Sequence, residues 1–163
     1  MLKILAGLLI SAAALAALVL VAARFGAFAG REPGDLGVRE GRLKPPSATP
    51  NSVSSQAALH PDHPQRTYAS IAPLPARGDA AATMAALRRV IESMEGASVA
   101  EAREDYLRVM FRTRWMGFVD DAEFWFDPVA GVVQVRSASR LGRGDLGVNR
   151  ARIESIRRRL AGP

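Results

Sequence analysis

Residues 105–139 read DYLRVMFRTRWMGFVDDAEFWFDPVAGVVQVRSAS, and the period of this stretch decides the fold. Leu107, Val109, Phe111, Thr113 and Trp115 alternate with Tyr106, Arg108, Met110, Arg112 and Arg114. Side chains of a strand point to opposite faces in turn, so the pattern predicts a half-buried antiparallel strand over 105–115. Gly117 and Asp120-Asp121 mark a turn. Ala122, Phe124 and Phe126 then alternate with Glu123, Trp125 and Asp127 in a second strand. Asp127-Pro128 and Gly131 supply the next turn, and 132–139 a third strand. Connections this short make the three a meander.

Outward from the meander the period changes to that of a helix. Met84, Leu87, Ile91 and Met94 recur at helical spacing between Asp79, a suitable N-cap, and Gly96, a suitable residue just past a helix end. A last helix is expected from Asn149 to Leu160, with Asn149 as its cap and Ile153, Ile156 and Leu160 as its buried stripe. Residues 98–102 and the stretch around 68–74 are expected to add edge strands. The fold class is therefore α+β: an antiparallel sheet meander packed with two helices, preceded by one N-terminal transmembrane or signal helix.

Residues 4–23 carry no charge and are almost wholly apolar. About 20 such residues in a helix span roughly 30 Å of hydrocarbon. Lys3 before the run and Ala27-Phe28-Ala29 after it have the layout of a signal peptide with a small-residue cleavage site. The run exceeds the usual 7–15 residues of a signal's apolar region, and Arg24 interrupts the approach to the cleavage site. An uncleaved anchor is the preferred reading; cleavage would leave an exported, soluble domain. The excess of Arg and Lys after the run argues for a cytoplasmic domain, whereas the signal-like layout argues for the periplasmic or outer face, which we prefer. Gly, Pro, Ser and charge dominate from 30 to about 66, so this stretch reads as a tether whose end, from Pro50 onward, packs on the domain. The organisation is 1–29 transmembrane anchor or signal peptide, 30–49 Pro/Gly-rich linker, and 50–163 α+β domain.

The net charge of +6 is concentrated at one end. From Arg136 onward there are eight Arg against Asp145 and Glu154, whereas 30–135 hold twelve basic and fourteen acidic residues. Arg157, Arg158 and Arg159 fall where positive charge offsets the helix dipole, which accounts for the tail without a partner. Such a tail lacks the interleaved aromatic platform of a nucleic-acid surface. There is no cysteine, which removes disulfides, thiolate nucleophiles and Cys-based zinc sites.

Four segments carry a resemblance: Pro50 to Gln56 (PNSVSSQ), Phe118 to Phe124 (FVDDAEF), Val135 to Arg140 (VRSASR) and, most strongly, Gly144 to Glu154 (GDLGVNRARIE). In this order they resemble the domain of unknown function 1499 family, over about residues 43–161. That resemblance implies a bacterial or plastid protein, often joined to membrane segments, and no established reaction. The family's usual motif has a cysteine where this chain has Ser52, so no thiolate role carries over.

Within these motifs the ligand-binding candidates are Asn51, Ser55, Asp121, Glu123, Arg136, Arg140, Asp145, Asn149 and Arg150. On a regular strand Asp121 and Glu123 share a face, where crowded carboxylates can raise a pKa or hold a cation. The plainer alternative is a turn aspartate and a cross-strand pair with an arginine such as Arg136. Arg136 and Arg140 share a strand face, with Ser137 and Ser139 on the other, and two guanidiniums side by side suit a carboxylate or phosphate. Pairing with Asp120, Asp121 or Asp145 would satisfy them equally. The loop from Asp145 to Arg150 enters a helix where amides can hold an anion, although Asp145 itself would repel one. His60 and His63 lie among prolines without further ligands, so no metal site is expected, and no cofactor. The leading expectation is a membrane-associated, non-enzymatic binding or assembly module, for a small anionic ligand or an envelope protein partner. The alternative is a hydrolase-like enzyme using Asp121 and Glu123 with Arg136 and Arg140. Residues 4–23 supply the membrane partner, and no nucleic-acid partner is expected.

Overall fold

A computed structural model describes residues 1–162. Helix α1 (Leu2–Arg24) stands clear of the rest of the chain until its last turn, and is long and apolar enough to cross a membrane. The remainder is α+β. Strand β1 (Ser52–Ser54), a 3-10 turn (Ala57–Leu59), a single helical turn α2 (Arg66–Ala69) and the two-residue strand β2 (Leu74–Pro75) lead into helix α3 (Ala80–Glu92). The meander β3 (Ala97–Ala102), β4 (Tyr106–Arg112), β5 (Val119–Asp127) and β6 (Val132–Ser139) follows, and helix α4 (Val148–Ala161) closes the domain. All pairings in the six-stranded sheet are antiparallel, in the order β1-β6-β5-β4-β3, and β2 joins the far end of the outer edge of β6.

Period two sorts the sheet into two faces. Leu107, Val109 and Phe111 of β4, Ala122 and Phe124 of β5, and Val133 and Val135 of β6 meet Met84, Leu87 and Ile91 of α3 and Ile153 and Ile156 of α4 in one apolar core. Asp79 caps α3 as expected, its carboxylate accepting from the Ala82 amide at 2.8 Å. Past the helix end, Gly96 has φ +75, and a Cβ there would sit 2.2 Å from the Arg112 carbonyl oxygen. Only glycine fits between α3 and the end of β4.

Four local expectations change, the first being the turn at Asp120-Asp121: both residues lie inside β5, paired with Phe111 and Met110 of β4. Strand β4 stops at Arg112, because Thr113 N–H donates to Phe118 O and Gly117 N–H to Thr113 O, closing the hairpin early. Trp115 is therefore 70% exposed on the turn rather than inward on a strand. Residues 68–74 form the end of α2 and the start of β2 rather than an edge strand, while Ser52–Ser54 form β1.

The segment expected to be a linker is laid across the second face of the sheet. Gly37 N–H donates to Glu123 Oε1 at 2.7 Å, the Leu43 amide to Gln56 Oε1 at 2.8 Å, and the Ser47 amide to Ser52 Oγ at 2.8 Å. Leu43 is buried against Tyr106 and Trp125, with Val38 packed beside them. Extended chain without periodicity can still be held by side-chain acceptors supplied from a sheet. That is how this strap (30–47) is fixed.

Candidate functional site

The nine candidate residues do not converge on one site. Alternation along β5 and β6 divides most of them between the two faces of the sheet, and the structure builds a polar cluster on each.

Under the strap lie Asp121, Glu123, Arg136 and Arg140. Asp121 is 1% exposed and Glu123 fully buried. Arg140 grips Asp121 bidentately, Nε at 2.7 Å and Nη2 at 2.8 Å, and Arg108 approaches the same carboxylate at 3.9 Å. Arg108 is held in turn by Glu32 of the strap at 2.7 Å. The hydrogen bonds Arg140 donates to Asp121 raise its pKa above the ordinary value, fixing the charge. Glu123 stands opposite Arg136 in register. Its Oε1 accepts from Gly37 N–H and, at 2.9 Å, from the Tyr106 hydroxyl, while Oε2 forms no hydrogen bond and lies 3.6 Å from Arg136 Nη1. Arg136 also donates to Pro45 O of the strap at 3.2 Å. Burial pulls the Arg136 pKa down, against the opposing pull of Glu123 and Asp121. Tyr106 is pushed well above its ordinary value, first by burial and then by the Glu123 charge. It is a neutral donor throughout the physiological range.

On the helix face a second network runs through the start of α4. Leu146 and Gly147 take left-handed backbone in succession, φ 51 and φ 82, and this turns the chain back on Asp145. The Asp145 carboxylate accepts from the amides of Gly147 at 3.0 Å and Asn149 at 3.1 Å, from Asn149 Nδ2 at 2.9 Å, and from the Tyr68 hydroxyl. Burial opposes ionisation of Asp145, but these donors outweigh it and hold its pKa below the usual value; the same bond raises that of Tyr68. The helix N-terminus thus binds an anion supplied by its own loop. Asn149 is not the cap it was expected to be, since Gly147 occupies that position and Asn149 is buried within the first turn. There it accepts from Ser137 Oγ at 2.6 Å and Arg152 Nη1 at 2.7 Å, and donates to Ser139 Oγ at 3.0 Å and to Asn51 O at 3.2 Å. Arg152 continues to Asp120 at 2.5 Å and stacks over Phe111, 4.5 Å from the ring centroid.

The remaining candidates are single fastenings. Asn51 Nδ2 donates to Gly142 O at 2.8 Å, while its buried Oδ1 forms no hydrogen bond. Ser55 bonds Gln134 at 2.7 Å across the outer edge of β6. Arg150 reaches the carbonyls of Tyr68 and Ser70, and Arg157 those of Ala72 and Pro73, so the basic tail clamps the segment leading into β2.

Tyr68, Tyr106 and Arg152 were not among the expected cluster members, and Asp120 was expected only as a partner for Arg136 or Arg140, whereas it pairs with Arg152. Asp120 had a signal: it alternates with Ala122 and Phe124, which places it on the helix face. Arg152 follows Asn149 by three positions and so lies on the same side of α4. A cavity of about 620 Å³ borders the helix-face network at Phe111 and Arg152, and others open elsewhere. One of about 290 Å³ lies in the strap beside Asp35, Arg39, Arg42, Lys44 and His60. Another, of about 430 Å³, lies between the end of α1 and the β4–β5 turn.

These features define an α+β domain with an N-terminal apolar helix, whose polar motifs are turned inward. Residues 42–160, well over half the chain, match the family described as Protein of unknown function (DUF1499), and the chain belongs to that family. No curated protein and no solved structure matches the chain.

Proposed function

We propose that the protein is a membrane-anchored, non-enzymatic assembly module that holds a rigid domain against the bilayer surface, on its periplasmic or outer face. One observation carries this reading: the end of α1 is built into the domain instead of leading into free chain. Ala23 is 4% exposed, its carbonyl lies against Gly117 where a Cβ would approach to 3.2 Å, and the rings of Phe28 and Phe118 meet at a tilt of 42° with centroids 5.5 Å apart. Gly30 continues the contact, since a Cβ there would meet Arg140 Cβ at 2.6 Å. A helix that spans the bilayer and is joined this closely fixes both the height and the orientation of the domain.

The hydrolase reading finds little support. A general acid or nucleophile must be reachable by substrate, and Asp121 and Glu123 are covered by the strap and committed to Arg140, Arg136 and Tyr106. The test uses the full chain in membranes and in detergent. The chain is expected to stay in the membrane pellet after alkaline carbonate treatment. Replacing Ala13 by Arg, at the middle of α1, costs about 3 kcal/mol of insertion and moves the chain toward the soluble fraction. A hydrolytic activity abolished by Asp121→Asn with thermal stability unchanged would overturn the non-enzymatic reading.

A further inference from the structure

Among the described residues, Arg24, Arg112 and Arg114 form no salt bridge, and Arg112 has a carbonyl partner instead, donating to Gly117 O at 3.3 Å. All three line the cavity of about 430 Å³ between the end of α1 and the β4–β5 turn, together with Leu20, Phe25 and Trp115. A second opening of about 620 Å³ shares Arg112, Arg114 and Trp115 and extends to Val148 and Arg152, with Glu95 its one acidic wall residue. Arg114 stacks on Trp115, 5.3 Å from the ring. Around these charges stand large exposed apolar side chains: Phe25 at 87%, Trp115 at 70% and Val148 at 48%.

Position gives this composition its meaning. Helix α1 has 23 residues, about 35 Å at 1.5 Å per residue, so its apolar run ends at the bilayer's polar boundary, where Arg24 stands. The β4–β5 turn packs on that same end and shares its depth. Exposed tryptophan and phenylalanine beside unpaired arginine is the composition favoured at this boundary, with rings among the glycerol groups and guanidiniums among the phosphates. Guanidinium forks also suit phosphate in particular.

We propose that this cleft binds the headgroup phosphate of an anionic phospholipid in the membrane that α1 enters, with Arg24, Arg112 and Arg114 on the phosphate and Trp115 inserted beside it. This rests on the membrane-anchored reading, and the test separates the two. The chain has two tryptophans, and Trp125 is buried, so Trp125→Phe leaves Trp115 as sole reporter. This full-length variant is placed in nonionic detergent micelles and titrated with brominated phosphatidylglycerol or brominated phosphatidylcholine. Phosphatidylglycerol quenches Trp115 at the lower concentration. Each arginine at an anionic surface contributes about fivefold in affinity. Arg114→Gln therefore weakens phosphatidylglycerol binding by about 5-fold, and Arg112→Gln with Arg114→Gln by about 30-fold. Thermal unfolding of Arg114→Gln stays unchanged, because that side chain is exposed, whereas Arg112→Gln also removes the 3.3 Å bond to Gly117 O and lowers Tm by no more than a few degrees.

Equal quenching by the two lipids, or no loss in the double variant, overturns the assignment even when the chain remains in the carbonate-washed pellet. Loss of the chain from that pellet overturns the anchor and this inference with it.

Discussion

Replacing Asp121 by Asn leaves the shape of the strap-side cluster almost unchanged while removing the charge that Arg140 grips with two hydrogen bonds, at 2.7 and 2.8 Å. The side chains concerned are 2% and 7% exposed. Removing one partner of a buried ion pair typically costs about 3–5 kcal/mol, because the survivor stays desolvated and unpaired. Arg140 lies just beyond the end of β6, near solvent, so the lower end applies, about 3 kcal/mol. For a domain of this size that corresponds to a fall in Tm of about 10 °C. The assay is thermal unfolding of the full chain in detergent, followed through a double-mutant cycle. Arg140→Gln alone should cost a similar amount. The double variant should lose at least 1 kcal/mol less than the sum of the singles, the coupling expected of charges in contact. A Tm for Asp121→Asn within about 2 °C of the parent, which is below 1 kcal/mol, would refute the structural role given to this carboxylate.

Other outcomes follow from the same packing. Because the Asp145 pKa is held below its ordinary 3.8, its stabilisation is complete above that value and disappears as the pH falls through the lower, folded-state pKa; a Tm-against-pH curve should lose part of its acid limb in Asp145→Asn. Tyr106 and Tyr68 are shifted upward from 10.0, so their contribution is intact below that pH and declines as it rises above it, and Tyr106→Phe should flatten the alkaline limb. Gly96→Ala must clear the Arg112 carbonyl at a positive φ, which should cost about 2–3 kcal/mol in denaturant unfolding. Glu123→Gln keeps the size of the side chain but removes the charge facing Arg136, and should raise the rate of limited proteolysis within the strap before it affects the sheet.

Much of the fold could be read from residues 105–139, because a sheet covered on one face by apolar helices imposes a two-residue period on its strands. The same period correctly placed Asp121 and Glu123 on one face, and Arg136 and Arg140 on one face. It also showed Ser137 and Ser139 turned the other way, toward what proves to be Asn149. Two things were less legible. The strap carries no period, since its amides are held by Glu123, Gln56 and Ser52, residues 5 to 86 positions away. Its Pro- and Gly-rich composition is equally that of a free linker. The early end of β4 was hidden because Thr113 and Trp115 continue the alternation, and the hairpin is closed instead by Gly117 and the amide of Thr113. A sequence pattern records which way a side chain would point. It does not record where a turn begins to compete for the backbone.

The strap is where the account is most directly tested, since it alone decides whether Glu123 and Arg136 are buried fastenings or an open polar surface. Hydrogen exchange of the full chain, read residue by residue over 30–47, measures this. The amides of Gly37, Leu43 and Ser47 should exchange with protection comparable to that of β5 and β6. Exchange of those amides at unprotected rates while the sheet stays protected would show the strap open in solution. The polar cluster beneath it would then be a surface presented for binding rather than part of the interior.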